Sequence, residues 1–121
     1  MPDAMSPAPV KAPISMADVE RLDVRVGTVR AVEDVPASKK LVRLRVDFGD
    51  HTRTILAGMK GERDDCRKIE GLQALFVVNL EPKRMAGEVS EGMLFDLGYA
   101  DGMTPVLAVP EAPVPDGTRA G

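Results

Sequence analysis

Residue types that support catalysis are scarce in this chain. Ser90 lies in Gly87-Glu-Val-Ser90-Glu-Gly92, which resembles a nucleophile elbow, but that motif needs glycine two residues before the serine, where Glu88 stands. An activated serine also needs a base, and the chain has one histidine, His51, in a polar turn. The single cysteine, Cys66, allows neither an internal disulfide nor a Cys-rich zinc site. The sequence therefore predicts a non-catalytic protein with no metal or cofactor.

Basic side chains form the pattern with the clearest chemistry. The chain carries 16 Lys and Arg against 19 Asp and Glu, so its net charge of −3 excludes a general polyanion binder but not a local basic face. In a small barrel, the second and third strands and the segment after the fourth strand meet on one surface. The basic residues there are Lys39, Lys40, Arg43, Arg45, Arg53, Lys83 and Arg84. Nucleic-acid phosphates suit this surface, and a solvated face without a ligand is the alternative.

An amide at the end of an apolar run is the second candidate site. Asn79 follows Leu75-Phe-Val-Val78, and its side chain must form hydrogen bonds, either locally in a turn or outward to a ligand. Aromatic residues, on which single-strand binders stack bases, number only three Phe and one Tyr. Phe48 and Phe76 fall on core positions. The composition therefore favours recognition of folded RNA by its backbone and shape.

Hydrophobic periodicity predicts an all-β fold. Alternation is clearest where Val42, Leu44 and Val46 interleave with charged residues, and a phase slip after Gly27 predicts a bulge. Strands are predicted over residues 22–31, 42–48, 52–57, 74–79 and 92–97, with a short helix over 15–21 and a helical connector over 62–68. This order predicts a five-stranded OB-fold Greek-key barrel with short helices and a docked C-terminal extension. An SH3-like barrel and a small sandwich fit the same periodicity.

The prolines suggest how the chain is divided. They cluster at the two ends and are sparse between, where a hydrogen-bonded sheet tolerates few of them. We expect a flexible Pro-rich tail over residues 1–13, the barrel over 14–104 and a C-terminal extension over 105–121. Apolar residues outside the strands, including Met16, Val19 and Val106, find no room inside a small barrel. They predict a homodimer held by its two ends, and the alternative is an extension that folds back over its own barrel.

The sequence also bears on membranes and localisation. The longest mainly apolar run, residues 74–80, is far shorter than the roughly 18 residues that a membrane span needs. The first residues carry an acid and several prolines and lack the apolar stretch of a secretory signal. We therefore expect a soluble cytoplasmic protein with no membrane partner.

Several segments together resemble one known family. They are Asp23-Val-Arg-Val-Gly-Thr-Val29, Asn79-Leu-Glu-Pro-Lys-Arg-Met-Ala-Gly87, Ser90-Glu-Gly-Met93 and Pro113-Val-Pro-Asp-Gly-Thr118. They resemble the tRNA-binding domain found at the C-terminus of methionyl-tRNA synthetases, in free-standing structure-specific tRNA-binding proteins, in EMAP II-like domains and in CsaA chaperones. The resemblance implies an OB barrel that binds folded tRNA without catalysis, with an aminoacyl-tRNA synthetase as a further candidate partner.

The resemblance also suggests which residues bind. It implies that Lys40 and Arg53 meet phosphates, that Asn79 and Arg84 line the site, and that Ser90 and Met93 lie at its rim. Lys39, Arg43 and Lys83 join the predicted site from their expected position in the barrel.

The sequence departs from the family pattern in its acidic residues. Glu81, Glu88 and Glu91 place negative charge nearby, which weakens a phosphate site. The Ser-Glu pair at positions 90 and 91 resembles the CsaA branch. The alternative function is therefore a CsaA-like export chaperone that grips unfolded preprotein segments in the same groove, through Met85, Met93 and Phe95.

Overall fold

Strand β2 illustrates how the sequence builds the sheet. In the computed structural model, which describes residues 7–121, β2 spans Val42–Asp47, and its valines and leucine are buried while the charged residues between them stay accessible. This period of two places one face of the strand in the core. The other main strands are β1 (Val24–Asp34), β3 (Thr52–Ala57), β4 (Gln73–Val77) and β7 (Met93–Leu94). Together they form a curled antiparallel sheet in the order β3-β2-β1-β4-β7.

The remaining elements are short. Helix α1 spans Met16–Glu20, and two 3-10 helices span Cys66–Ile69 and Tyr99–Asp101. Two small hairpins pair β5 (Lys83–Met85) with β6 (Glu88–Ser90) and β8 (Asp96–Leu97) with β9 (Val106–Leu107). The predicted all-β barrel with short helices is confirmed. Residues 7–13 have no regular secondary structure and are exposed, whereas residues 1–6 of the predicted tail lie outside the described residues.

Helix α1 begins where the sequence predicts, and its first turn explains why. The Ser15 hydroxyl accepts a hydrogen bond from the Asp18 amide at 3.2 Å, and the Asp18 carboxylate accepts one from the Ser15 amide at 3.4 Å. This capping box satisfies two amides that a helix start leaves free. The helix is nevertheless only five residues long and buries no residue.

The bulge in β1 lies further along the strand than predicted. Val29 pairs with Val46 of β2 and Ala31 pairs with Arg45, so the extra residue is Arg30 and not one beside Gly27. Gly27 has a different role, because a Cβ atom there would come within 2.5 Å of Val46 Cγ1 and 2.8 Å of a Phe48 ring carbon. The glycine lets the strand lie close against the core.

The barrel closes between β3 and the segment that leads into β7. The Glu91 amide donates a hydrogen bond to the Thr54 carbonyl at 2.8 Å, and the Leu56 amide donates one to the Ser90 hydroxyl at 3.0 Å. Inside, the largest fully buried side chains are Phe76, Leu44, Ile55, Val29, Val35 and Val46. Burying each such side chain stabilises the fold by roughly 1.5–3 kcal/mol.

The predicted fifth strand is divided into two. Residues 93–94 pair with β4 as β7, whereas 96–97 leave that sheet and pair with β9 as β8. The break lies at Phe95, whose amide donates to the Leu75 carbonyl at 3.0 Å, while the Leu75 amide donates to the Ala108 carbonyl. The predicted helical connector over 62–68 is likewise reduced to the 3-10 helix from Cys66.

The C-terminal extension docks on its own barrel, which is the arrangement that the sequence analysis gave as the alternative to a dimer held by its ends. The Val26 amide donates to the Thr118 carbonyl at 2.9 Å, the Gly117 amide to the Val26 carbonyl at 2.7 Å and the Ala120 amide to the Val24 carbonyl at 2.8 Å. One edge of β1 is therefore shared by two partners. Residues 117–120 bond to its first half, and β2 pairs with its second half.

Candidate nucleic-acid interface

The hairpin of β5 and β6 carries several residues of the predicted site. Lys83 pairs with Ser90, Arg84 with Val89 and Met85 with Glu88, so Ala86 and Gly87 form a two-residue turn. Both turn residues have positive φ, 51° and 81°, which is the geometry that matches strand twist in tight hairpins. The Lys83 and Arg84 side chains are exposed on this hairpin.

Ser90 lies beneath the hairpin and not at a rim. Its side chain is buried, with a relative exposure of 4%. Its hydroxyl accepts the bond from Leu56 and donates to the Gly92 carbonyl at 3.0 Å. The serine thus joins β6 to β3, and its hydrogen-bonding groups are used inside the protein.

Arg43 is held by two carboxylates. Its guanidinium donates to Glu33 at 2.7 Å and to Glu88 at 2.5 Å. The first bond lowers the pKa of Glu33, and bonds to Glu33 and Glu88 raise the pKa of Arg43. Arg45 also contacts Glu33, at 3.2 Å. The cationic stripe predicted along β2 is therefore largely neutralised, and the Arg43–Glu88 contact fastens the hairpin to the barrel.

Arg53 caps backbone carbonyls at the end of the barrel. Its Nη1 donates to the Val78 carbonyl at 2.6 Å and to the Glu91 carbonyl at 3.1 Å. Its Nε donates to Nε2 of His51 at 3.0 Å. Because that imidazole nitrogen accepts, Nδ1 carries the proton and donates to Asp50 at 2.6 Å. The guanidinium therefore joins β3 to the segments that follow β4 and β6.

Asn79 forms neither a local turn nor an outward contact. Its Oδ1 accepts from the Asp23 amide at 2.8 Å, and its Nδ2 donates to the Arg21 carbonyl at 2.7 Å. The partners lie 56 and 58 residues away in sequence. The amide thus clamps the segment between α1 and β1 onto the end of β4.

Lys39 and Lys40 lie exposed in the loop between β1 and β2. The loop itself is fixed by Lys60, whose ammonium donates to the Val35 and Ser38 carbonyls at 3.0 and 2.6 Å and contacts Asp34 at 2.5 Å. Lys60 also donates its backbone amide to the Lys40 carbonyl at 3.1 Å. A half-buried lysine thus holds the two exposed lysines in place, a role that the sequence analysis missed.

The structure divides the nine predicted site residues into two groups. Arg43, Arg53, Asn79 and Ser90 are bonded within the protein. The second group presents exposed side chains: Lys39, Lys40, Lys83, Arg84 and Met93. Four members of the second group are cations: Lys39, Lys40, Lys83 and Arg84. Among residues 7–121, no carboxylate lies within 4.0 Å of their charged nitrogens.

The acidic residues near the hairpin also differ from one another. Glu88 is paired with Arg43, and Glu91 accepts a hydrogen bond from the Thr54 amide at 2.9 Å. Glu81 is exposed at the mouth of a groove that Met85 and Met93 also line. Phe95, the third residue of the predicted peptide site, is not part of that groove.

The described residues contain neither a cluster suited to a metal ion nor a membrane-spanning helix. Across residues 7–121, no cluster of three or more His, Cys, Asp or Glu side chains is placed to hold a metal ion. Over the same part of the chain, no helix is long and apolar enough to cross a membrane.

Comparison with known proteins identifies the family. Residues 24–119 match the tRNA binding domain family, which covers all nine predicted site residues. The chain belongs to this family. It is 38% identical over 112 residues to a methionine–tRNA ligase of Porphyromonas gingivalis. The matched segment covers 93% of this chain but only 16% of that ligase. The family domain is thus a small part of that relative's length.

Solved structures with similar folds give the same architecture. A MetRS-related protein from Pyrococcus horikoshii superposes with a TM-score of 0.83 at 33% identity, covering 92% of this chain and 100% of that one. The chaperone CsaA from Bacillus anthracis str. Ames superposes with a TM-score of 0.78 at 32% identity, covering 91% and 100%. The fold agrees with both, so the fold alone does not distinguish a MetRS-related protein from a chaperone.

Proposed function

We propose that this protein binds folded tRNA in the cytoplasm without catalysing a reaction. Lys39, Lys40, Lys83 and Arg84 make the phosphate contacts. One observation carries this proposal: within the described part of the chain, residues 7–121, these four cations are exposed and have no carboxylate partner. They lie on a loop and a hairpin that internal bonds hold in place. Phosphate contacts fix register and orientation without reading sequence, so a fixed arrangement of cations selects the shape of the RNA.

Arg43, Arg53, Asn79 and Ser90 act in this proposal as positioning residues. Each bonds to a backbone group or carboxylate on another element, and together they hold the hairpin and the strand ends. An aminoacyl-tRNA synthetase is the second proposed partner, because the matching relative from Porphyromonas gingivalis is a methionine–tRNA ligase.

Selectivity for folded tRNA is the first test. We expect the protein to retard a folded tRNA transcript in a gel at concentrations at which it leaves a scrambled RNA of equal length and composition unbound. The two RNAs carry the same number of phosphates, so only shape distinguishes them. Equal retardation of both RNAs would contradict shape recognition, and failure to retard either would contradict tRNA binding.

The charge on Glu91 is the second test. Glu91→Gln keeps a carbonyl oxygen that can accept the Thr54 amide bond and removes one negative charge near the phosphate contacts. We expect tRNA affinity to rise by at most about 1 kcal/mol, because the site is exposed. Filter binding of the variant and of Glu111→Gln, a remote exposed control, measures the change. Weaker binding by Glu91→Gln would mean that the carboxylate itself contacts the RNA.

A homodimer is the third part of the proposal. Although the extension docks on its own barrel, apolar side chains at both ends remain exposed: Met16 at 70%, Val19 at 45%, Val106 at 56% and Val109 at 55%. We infer that a second copy of the chain covers these side chains, because exposed apolar surface that forms a large patch is often an interface. A two-fold pairing presents two sets of cations to one RNA and adds avidity.

Light scattering tests the dimer. We expect the mass of two chains for the natural protein and the mass of one for the double variant Val19→Asp/Val106→Asp. Val10→Asp is the matched control, because Val10 is 98% exposed and lies outside α1 and the extension. A natural protein that is monomeric at tens of micromolar, or a double variant that still pairs, would show that these ends are not the interface.

The second candidate function is a chaperone that grips unfolded preprotein. The match to CsaA and the apolar groove beside Met85 and Met93 favour it. An unfolded preprotein segment that competes with tRNA at micromolar concentration would support this function. If bound tRNA is displaced by unlabelled RNA but not by the preprotein segment, the chaperone function is contradicted and tRNA remains the ligand.

A further inference from the structure

The hairpin of β5 and β6 overhangs an apolar groove. Leu56 of β3 forms part of its lining, and Leu80, Met85 and Met93 supply further apolar surface. Glu81 and Lys83 are the charged residues of the lining. Its volume of about 560 Å³ falls in the range of about 300–1,000 Å³ that is usual for small-ligand pockets.

The groove is built on fixed parts of the barrel. Ser90 bonds to the Leu56 amide beneath it, and Gly92 lies so close to β4 that a Cβ atom would come within 2.8 Å of the Val77 carbonyl. Leu80 and Met93 are nevertheless 44% and 43% exposed. The groove therefore presents apolar surface to solvent on a rigid base, which is the character of a binding site.

The charges of the groove distinguish between occupants. Among residues 7–121, neither Glu81 nor Lys83 has an ion-pair partner. Arg84, the next residue of β5, is not part of the lining. An apolar peptide side chain would cover the leucines and methionines but leave both charges unused. A nucleotide uses both charges, because its phosphate suits Lys83 and the amino group of its base donates to the Glu81 carboxylate.

We propose that this groove takes one unpaired nucleobase of the bound RNA, a base that carries an exocyclic amino group, namely adenine, guanine or cytosine. The inference rests on the proposed tRNA binding and deepens it. The thioethers of Met85 and Met93 contact the ring faces, since sulfur packs favourably on aromatic rings. Sequence-specific RNA recognition uses unpaired bases of loops, and these methionines take the place of an aromatic platform, since no aromatic residue lines the groove.

Methyl NMR tests the groove directly. The probe is the full chain with ¹³C-methyl methionine, titrated with folded tRNA and, separately, with AMP and UMP. We expect upfield ring-current shifts of Met85 and Met93 with tRNA and with AMP, and smaller shifts with UMP, which has no amino group. Met103, which is 44% exposed and outside the groove, is the matched internal control.

Variants separate the base from the phosphates. Met93→Ala is expected to lower tRNA affinity about five- to tenfold, as expected for the loss of one base-stacking contact, and to leave the salt dependence unchanged. Met103→Ala is the control and should bind as the natural protein does. Glu81→Gln should reduce the preference for AMP over UMP. Unchanged affinity in Met93→Ala, or a changed salt slope, would overturn the base pocket.

The outcomes distinguish this inference from the proposed function. If tRNA binds but the Met85 and Met93 methyl groups do not shift more than Met103, the base pocket is wrong and tRNA binding stands. If tRNA does not bind and an unfolded preprotein peptide shifts both methyl groups, both proposals are wrong and the groove is a peptide site. Equal shifts with AMP and UMP would remove the role of Glu81.

Discussion

A variant in which glutamine replaces all four of the exposed cations, Lys39, Lys40, Lys83 and Arg84, is expected to lose most of the salt dependence of tRNA binding. Each cation that meets a phosphate releases about one counterion, so four contacts predict about a 100-fold loss of affinity between about 50 and 200 mM salt in the natural protein. The variant should bind about 100-fold more weakly at the lower salt concentration and change little as salt rises. Filter binding across a salt series measures both quantities.

The control for this variant uses cations elsewhere on the surface. Arg67 and Lys68 are exposed neighbours at the 3-10 helix that begins at Cys66, and they match the adjacent Lys83 and Arg84. Replacing Arg67 and Lys68 with glutamine changes the net charge as much as replacing Lys83 and Arg84. We expect a change in affinity of less than about twofold for the control pair, because distant charges are screened. Equal losses for the two pairs would mean that binding follows net charge and not the proposed contacts.

Replacing Gly117 with alanine is expected to give the largest loss of stability. Gly117 has a φ of 89°, which alanine rarely adopts, and an added Cβ would clash with the Phe48 carbonyl oxygen. Both effects act at the point where the extension meets the end of β2. We expect the free energy of unfolding to fall by about 3 kcal/mol and Tm by about 10 °C.

Gly102 supplies the matched control for the alanine substitution. Its φ of 76° is also positive, but nothing lies within 4 Å of an added Cβ atom. Gly102→Ala should therefore cost only the backbone strain, about 1 kcal/mol. Denaturant unfolding measures the loss of stability in both variants, and the difference between them is the cost of the clash between the added Cβ atom and the Phe48 carbonyl. If Gly117→Ala is no less stable than Gly102→Ala, the extension does not dock against the turn after β2.

The second and third strands are those that the sequence predicts best. The bounds predicted for β3 agree with the structure, and β2 is predicted to within a residue. The valines and leucine of β2 alternate with charged residues, whereas β3 buries the neighbouring Ile55 and Leu56, so its prediction depended on the turn at Gly49 and Asp50. The hairpin of β5 and β6 was missed, because each strand has three residues and too few alternations to give a period. The position of the β1 bulge was also missed, since it depends on the register with β2.

The sequence showed which residue types make up the candidate site, but not which of them are exposed and which are bonded within the protein. The exposed Lys39, Lys40, Lys83 and Arg84 look no different in sequence from Arg43, whose charge two carboxylates offset. One of these, Glu88, lies 45 residues away. Such pairings arise only when the barrel brings distant segments together. A similar argument applies to Asn79, whose amide serves the segment before β1.

The position of the extension beside β1 has a consequence for how this protein is made. The first half of β1 exchanges hydrogen bonds with residues 117–120 along one edge, and Thr28 donates to Asp116 across 88 positions of sequence. Pairing between such distant segments slows folding. The ribosome synthesises β1 before residues 117–120, which pair with one of its edges. Until those residues have emerged, the strand keeps an open edge on which other chains can pair. The barrel therefore gains its full stability only after the last strand-like segment of the sequence has been translated.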